Sequence, residues 1–396
     1  MDRRHFLKQS VLASSLCFVP NFIKAFENLD PKSLGYKRLV IIQLAGGNDG
    51  LNTIVPFNND TYYRNRAKIA IEKKDVLKAT DELGFHASLL PLKKLYDKGH
   101  LTIINNVGYP NPNRSHFRAT DIWQTASHAD QNLQTGWVGR YLDLYGKQPY
   151  NAIEIDDSLS LALKGQQMNG IATTNPNVLF RTSQDPYFKN VLKYYQDDHL
   201  SEHNLGYLYK TMIAAESSAK YIFEKYKTAS AKFEYPNNAF ANQLKMTSKL
   251  MSSGIETKVF YASLGGFDTH VNQLNSQARL LKIYAEGIAA FVDDLKQQDT
   301  FNDTLILTFS EFGRRVKQNA ANGTDHGAAS NLFIIGNQLK TPGFYNELAN
   351  LDDLDKNGDL KFTVDFRSIY ATVLDKWLAV DDERILNQSF SKLKFI

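Results

Sequence analysis

The sequence predicts an α/β fold with a doubly wound, mostly parallel sheet, on three observations. Five short apolar runs lack the polar alternation of a strand with one wet face. A stretch of helical period separates two of these runs, and ionisable segments follow directly after them. With 396 residues the chain can bury a large core, in one large or two modest domains. Hydrophobic residues make up 43% and charged residues 22%, with 23 Gly and 11 Pro, which excludes a disordered, collagen-like or polytopic membrane chain.

Residues 1–25 read as an export address, with a basic start, an apolar stretch from Val11 to Ile23 and the small residue Ala25. Interrupted by Pro20 and Asn21, that stretch is too short for a stable membrane span. Arg3-Arg4-His5-Phe6-Leu7-Lys8 resembles a twin-arginine signal, whose translocation machinery passes folded proteins. The segment also carries Arg3, Arg4, Lys8 and Lys24 against Asp2, leaving about +1 of the formal +4 for the rest, so no nucleic-acid footprint is expected. The only cysteine is Cys17; the body therefore has no disulfide and no thiolate, and any metal must sit on oxygen and imidazole.

The buried strands are expected at Leu39–Ile42, Leu101–Ile104, Val259–Ala262, Leu305–Phe309 and Leu332–Ile335. Between the third and fourth, Leu274, Leu281, Tyr284, Ile288, Phe291, Val292 and Leu295 fall at helical spacing and complete a strand, helix, strand unit. Residues 150–250 read as a helical insertion or cap, with polar loops around 165–177 and a helix-prone stretch over 205–232.

Open α/β sheets bind ligands beyond their strand ends, and five loops of this chain place chemistry there. They are Gly46-Gly47-Asn48-Asp49-Gly50, Asn113-Arg114-Ser115-His116, Gly265-Gly266-Phe267-Asp268-Thr269-His270, Ser310-Glu311-Phe312-Gly313-Arg314-Arg315 and Gly323-Thr324-Asp325-His326-Gly327. Asp268 and His270 stand two apart, so an extended segment turns both the same way, as chelation of one ion requires. The glycines around Asp325 and His326 let either residue aim at that centre. Such donors suit Zn, Mn, Fe, Mg or Ca. Each piece also has a plainer reading: a glycine turn at residues 46–50, a helix-start carboxylate at Glu311, a helix cap at Ser115. His86, His100, His128, His199 and His203 lack partnered context. Residues 353–359 copy half of a calcium loop, but its twelfth position is Val364 instead of Glu, so a tight hairpin is expected there.

Several motifs in one order, namely Leu44-Ala45-Gly46-Gly47-Asn48-Asp49-Gly50-Leu51-Asn52-Thr53, Arg114-Ser115-His116-Phe117, Gly136-Trp137-Val138-Gly139-Arg140, Gly265–His270, Ser310–Arg315 and Thr324–Gly327, resemble the bacterial domain of unknown function 1501 family over residues 37–380. The resemblance implies an alkaline phosphatase-like and sulfatase-like α/β domain with one or two divalent ions at the strand ends. It makes Asp49 a first-strand metal ligand, Ser115 the nucleophile, Asp268 and His270 the ligands of one ion, and His326 the residue completing that site. Glu311 stands where the superfamily has the Asp of an Asp-His pair and Phe312 where it has the His, which weakens a second site. Arg114, Arg314 or Arg315 would hold the substrate oxygens, and no cysteine or sulfatase signature supports formylglycine chemistry.

The expectation is thus an exported protein, periplasmic or in the cell envelope, that hydrolyses a phosphate or sulfate ester of a small molecule or glycan with a metal and Ser115. The alternative is a non-catalytic envelope binding protein on the same fold. A metal-free serine hydrolase is a third possibility, disfavoured because no Gly-x-Ser-x-Gly elbow surrounds Ser115.

Overall fold

The computed structural model describes residues 35–194, 204–229, 231 and 233–396. The export-signal reading and Cys17 lie outside them, as do His199 and His203. Nine strands form the main sheet: β1 (Arg38–Leu44), β2 (Leu101–Gly108), β3 (Ala152–Glu154), β4 (Ile171–Ala172), β5 (Val259–Leu264), β6 (Thr304–Phe309), β7 (Ser330–Ile335), β8 (Gly343–Phe344) and β9 (Val364–Asp365). Across the sheet they run β8-β2-β7-β6-β1-β5-β3-β4, with β9 pairing beside β8 on β2. All five predicted apolar runs are strands of this sheet.

The helices used below are α1 (Leu90–Asp97), α2 (His116–Thr125), α3 (Trp137–Tyr145), α4 (Asn204–Thr228), α5 (Ala239–Ser252), α6 (Gln273–Gln297) and α7 (Phe366–Thr372). Because side chains alternate across a strand, β1 feeds two cores. Val40, Ile42 and Leu44 pack with α1, α5 and α6, whereas Leu39 and Ile41 pack with α2, α3 and α7. Both faces are covered, which is why these runs are apolar throughout and why the fold is doubly wound. On α6 the predicted stripe from Leu281 to Leu295 is buried, but Leu274 in its first turn is exposed.

Every pairing in this sheet is parallel except those of β7, which runs antiparallel to β2 and β6. A parallel return needs a crossover, usually helical. Residues 310–329 contain no helix and instead fold over the sheet end, with Arg314 bridged to His326. The chain therefore re-enters from the edge where the parallel strands finish. Consequently the loop before β7 joins the loops after β1, β5 and β6, which are adjacent strands. That convergence positions the site.

Residues 150–250, expected as an insertion or cap, run from β3 and β4 through α4 to α5, and β3 pairs directly with β5. Among the described residues no helix is long and apolar enough to cross a membrane.

Candidate metal centre

The loop after β1 is pinned to the loop after β6. Glu311 Oε1 accepts from the Gly46 N–H at 2.8 Å, and Ser310 Oγ accepts from the Asn48 N–H at 2.8 Å. Gly47 has φ +74°, and a Cβ there would lie 2.2 Å from the Phe312 ring. Glycine is required by both conditions. The buried Phe312 ring packs against two imidazoles, with centroids 4.9 Å from His116 and 4.7 Å from His326.

His116, His270, His326 and Asp268 meet in front of this wall. Their facing atoms are close: His270 Nε2 lies 2.9 Å from His326 Nε2 and 3.0 Å from Asp268 Oδ1. His326 Nε2 lies 3.1 Å from Asp268 Oδ1, and His116 Nε2 lies 3.4 Å from Asp268 Oδ2. His116, Asp268 and His326 each offer a ligand-type atom within 4.8 Å of the others.

Each histidine is oriented from behind by an oxygen. His116 Nδ1 faces Glu311 Oε1 at 3.0 Å, His326 Nδ1 faces the Arg114 carbonyl at 2.7 Å, and His270 Nδ1 faces Asp325 Oδ1 at 3.2 Å. Carbonyl and carboxylate oxygens only accept, so all three Nδ1 atoms donate and all three Nε2 atoms are directed at the shared space. This is how proteins fix the tautomer of metal-binding histidines. His116 Nε2 is buried and makes no hydrogen bond.

The charges are tuned accordingly. Burial raises the Asp268 carboxyl, but the hydrogen bond and positive charge of Arg314, with the imidazoles beside it, outweigh that and hold the group at about 2, ionised at neutral pH. Burial holds His326 below its ordinary value, which favours the neutral, lone-pair-bearing ring. The Glu311 hydrogen bond lifts His116, so a proton would compete with any cation for its Nε2. Asp325 is lowered, chiefly by its hydrogen bond from Asn319. Atoms bonded at about 2.0–2.2 Å to one tetrahedral ion sit about 3.4 Å apart, close to the spacings above. The donor set, with an orphaned buried nitrogen aimed inward, fits a divalent ion.

Asp49 is elsewhere. Its side chain is fully buried, caps the short helix Gly50–Thr53 by accepting from the Leu51 N–H at 3.2 Å, and accepts from Arg66 at 2.5 and 3.0 Å and from Gln273. An arginine neutralises it, so it is not brought into the cluster. Glu311 and Asp325 stand behind His116 and His270 as orienting carboxylates.

The two adjacent arginines differ as sharply. Buried Arg314 donates to the carbonyls of Gly46, Gly47, Phe267 and Thr324 and to Asp268 Oδ1, so its donors are engaged in stitching three loops together. Arg315 Nε makes no hydrogen bond, and its guanidinium is partly exposed. Ser115 is exposed at the N-cap of α2, and its side chain makes no capping bond. The sequence assigned no role to His116; the available signal was its place beside Ser115 in a loop after a strand. A recess lined by Asn58, Glu82, Phe344 and Asn350 shares no residue with the cluster.

No curated protein matches the chain in sequence. Similar solved structures include the C-terminal periplasmic domain of EcEptC from Escherichia coli in complex with Zn, at 12% identity and a TM-score of 0.39, covering 78% of this chain and 75% of that one. Another is PsFucS1 sulfatase from Pseudoalteromonas sp., at 12% identity and a TM-score of 0.40, covering 94% and 73%. A third is a protein in the alkaline phosphatase superfamily from Vibrio parahaemolyticus, at 12% identity and a TM-score of 0.36, covering 79% and 63%. The family model described as protein of unknown function (DUF1501) matches residues 99–390, and the chain belongs to that family.

Proposed function

We propose that this chain is an exported metal-dependent hydrolase of a phosphate or sulfate ester, with Ser115 as nucleophile at a one-ion centre. The observation that carries the reading is the convergence of three imidazole Nε2 atoms on Asp268, each ring anchored through Nδ1. His116, His270, His326 and Asp268 would hold the ion. Such an ion supplies Lewis acidity, lowering the pKa of a hydroxyl and offsetting charge on the ester oxygens.

The chain's own groups divide the remaining work. The uncapped Ser115 hydroxyl would attack phosphorus or sulfur, losing its proton to water as the ester's alcohol leaves, and a water molecule would then hydrolyse the serine ester to restore the hydroxyl; the N–H groups of the first α2 turn favour negative charge beside it. Arg114 and Arg315 would bind the non-reacting oxygens, two of the three arginines to which the sequence offers that role, the third being Arg314. Glu311, Asp325 and the Arg114 carbonyl keep the rings turned inward. Asp49 engaged by Arg66, and Phe312 in place of a nitrogen donor, support one ion over two.

Residues 1–25 would direct export to the periplasm or cell envelope through the twin-arginine machinery, 37–380 would form the catalytic domain and 150–250 a cap over it. The test is turnover of aryl phosphate, phosphodiester and aryl sulfate panels. Ser115→Ala should abolish turnover with metal retained; unchanged turnover refutes the nucleophile. A non-catalytic envelope binding protein is the second reading, favoured because Arg314, a candidate substrate clamp, is fully engaged. A metal-loaded chain inert across the panels while capturing an envelope glycan selects it.

A further inference from the structure

Arg114 and Arg315 reach the neighbourhood of the centre on different loops and face one carboxylate. Asp359 Oδ2 accepts from Arg114 Nη2, and Asp359 Oδ1 lies 3.6 Å from Arg315 Nε. The Asp359 side chain is fully buried, whereas the arginines are about a third exposed. Oδ1 and the Arg315 Nε are both buried and neither makes a hydrogen bond. Both arginines adjoin the cluster through their backbones: the Arg114 carbonyl holds His326, and the Arg315 N–H donates to the Asp325 carbonyl at 3.0 Å.

Asp359 comes from the calcium-loop look-alike, and its local structure explains its direction. Asp355 Oδ1 accepts the N–H groups of Asn357 and Asp359, Gly358 turns at φ +79°, and Leu354 bridges Leu360. Leu351 and Leu360 anchor the ends in a core with Leu51 and Val316. Asp353 faces outward to Lys361, while Asp359 faces inward. The hairpin expected from the sequence is thus an arm that brings one buried carboxylate to two guanidinium groups.

A purely structural pair engages both carboxylate oxygens, as Asp49 does with Arg66 and Asp365 with Arg367. Here two cations share one anion, with one oxygen and one donor left unmatched. A buried unmatched donor is costly, and this one faces the unmatched Asp359 oxygen at 3.6 Å, so the carboxylate holds Arg315 by charge. Guanidinium forks match tetrahedral oxyanions geometrically, and Arg315 keeps its fork disengaged.

We infer that Asp359 is a positioning residue that holds Arg114 and Arg315 as a two-arginine receiver for a tetrahedral oxyanion, phosphate or sulfate. The inference deepens the hydrolase reading, on which it rests for the receiver's role in binding substrate. The geometry of Arg114, Arg315 and Asp359 does not depend on that reading.

The test is calorimetric titration of inorganic phosphate and, separately, inorganic sulfate into the full chain, with metal content and melting temperature measured alongside. Arg315→Ala should weaken binding at least tenfold, and Arg315→Lys should recover part of the loss. Asp359→Asn should weaken it about tenfold with metal content unchanged, the size typical of removing an orienting partner. Asp359→Asn binding as tightly as the parent, or tighter, shows a carboxylate that only neutralises and overturns the proposal. Unchanged affinity in Arg315→Ala overturns it as well, and this partly exposed position decides alone where Asp359→Asn does not fold. A parent chain with metal that binds neither anion sinks this inference; a chain that binds an anion through Arg315 but holds no metal sinks the hydrolase reading instead.

Discussion

Asp49 and Asp268 lie in the loops after β1 and β5, neighbouring strands of one sheet, yet their surroundings are opposite. The Asp49 side chain has no exposure and is closed by Arg66, whereas that of Asp268 is 48% exposed and faces three imidazoles. Both loops look alike in sequence, Gly-Gly-Asn-Asp beside Gly-Gly-Phe-Asp. The difference is what reaches each carboxylate from elsewhere. Arg66 also donates to the carbonyls of Arg315 and Val316, so the Asp49 pair ties the first loop to the loop after β6. One aspartate builds the scaffold; the other is left open beside three imidazoles.

This contrast breaks most easily at Asp49. Asp49→Asn leaves a buried guanidinium without its counter-charge, a loss of about 3–5 kcal/mol expected in denaturant unfolding. Metal bound per folded chain should not change, and loss of metal in a folded variant would return Asp49 to the ligand set. Asp268→Asn should do the reverse, with metal affinity falling at least a hundredfold, about 2.7 kcal/mol, because the ionised oxygen among three rings is removed. A smaller effect is expected one layer back, at Glu311→Gln. The amide can no longer fix His116 as firmly, and metal affinity should fall about 10–100-fold without loss of the ion at saturation. The least change is expected of Phe312→His. An added imidazole should leave the stoichiometry at one ion, since Asp49 remains engaged by Arg66; two equivalents by elemental analysis would contradict the single-ion account.

Much of the fold was legible because strands buried on both faces must be apolar throughout, and the five runs are. Strand direction was not legible in Leu332–Ile335, because an apolar run has no polarity; the loop folded over the sheet end decides it. The short strands β3, β4, β8 and β9, of two or three residues, are too short to carry a pattern. At the site, Asp268, His270 and His326 stood out by their place between glycines after or before strands. His116 depends on Glu311, 195 residues away, and Asp359 on Arg114, 245 residues away, which local sequence does not encode. Arg314 and Arg315 are adjacent and project differently, so sequence offered both and could not rank them.

The chemistry proposed for this chain depends on one cation among His116, His270, His326 and Asp268. Elemental analysis of the full chain, expressed with its signal and exported naturally, tests it most directly. The predicted result is one equivalent of divalent metal per chain, lost in Asp268→Asn and kept in Ser115→Ala. A folded parent chain carrying no metal would contradict it.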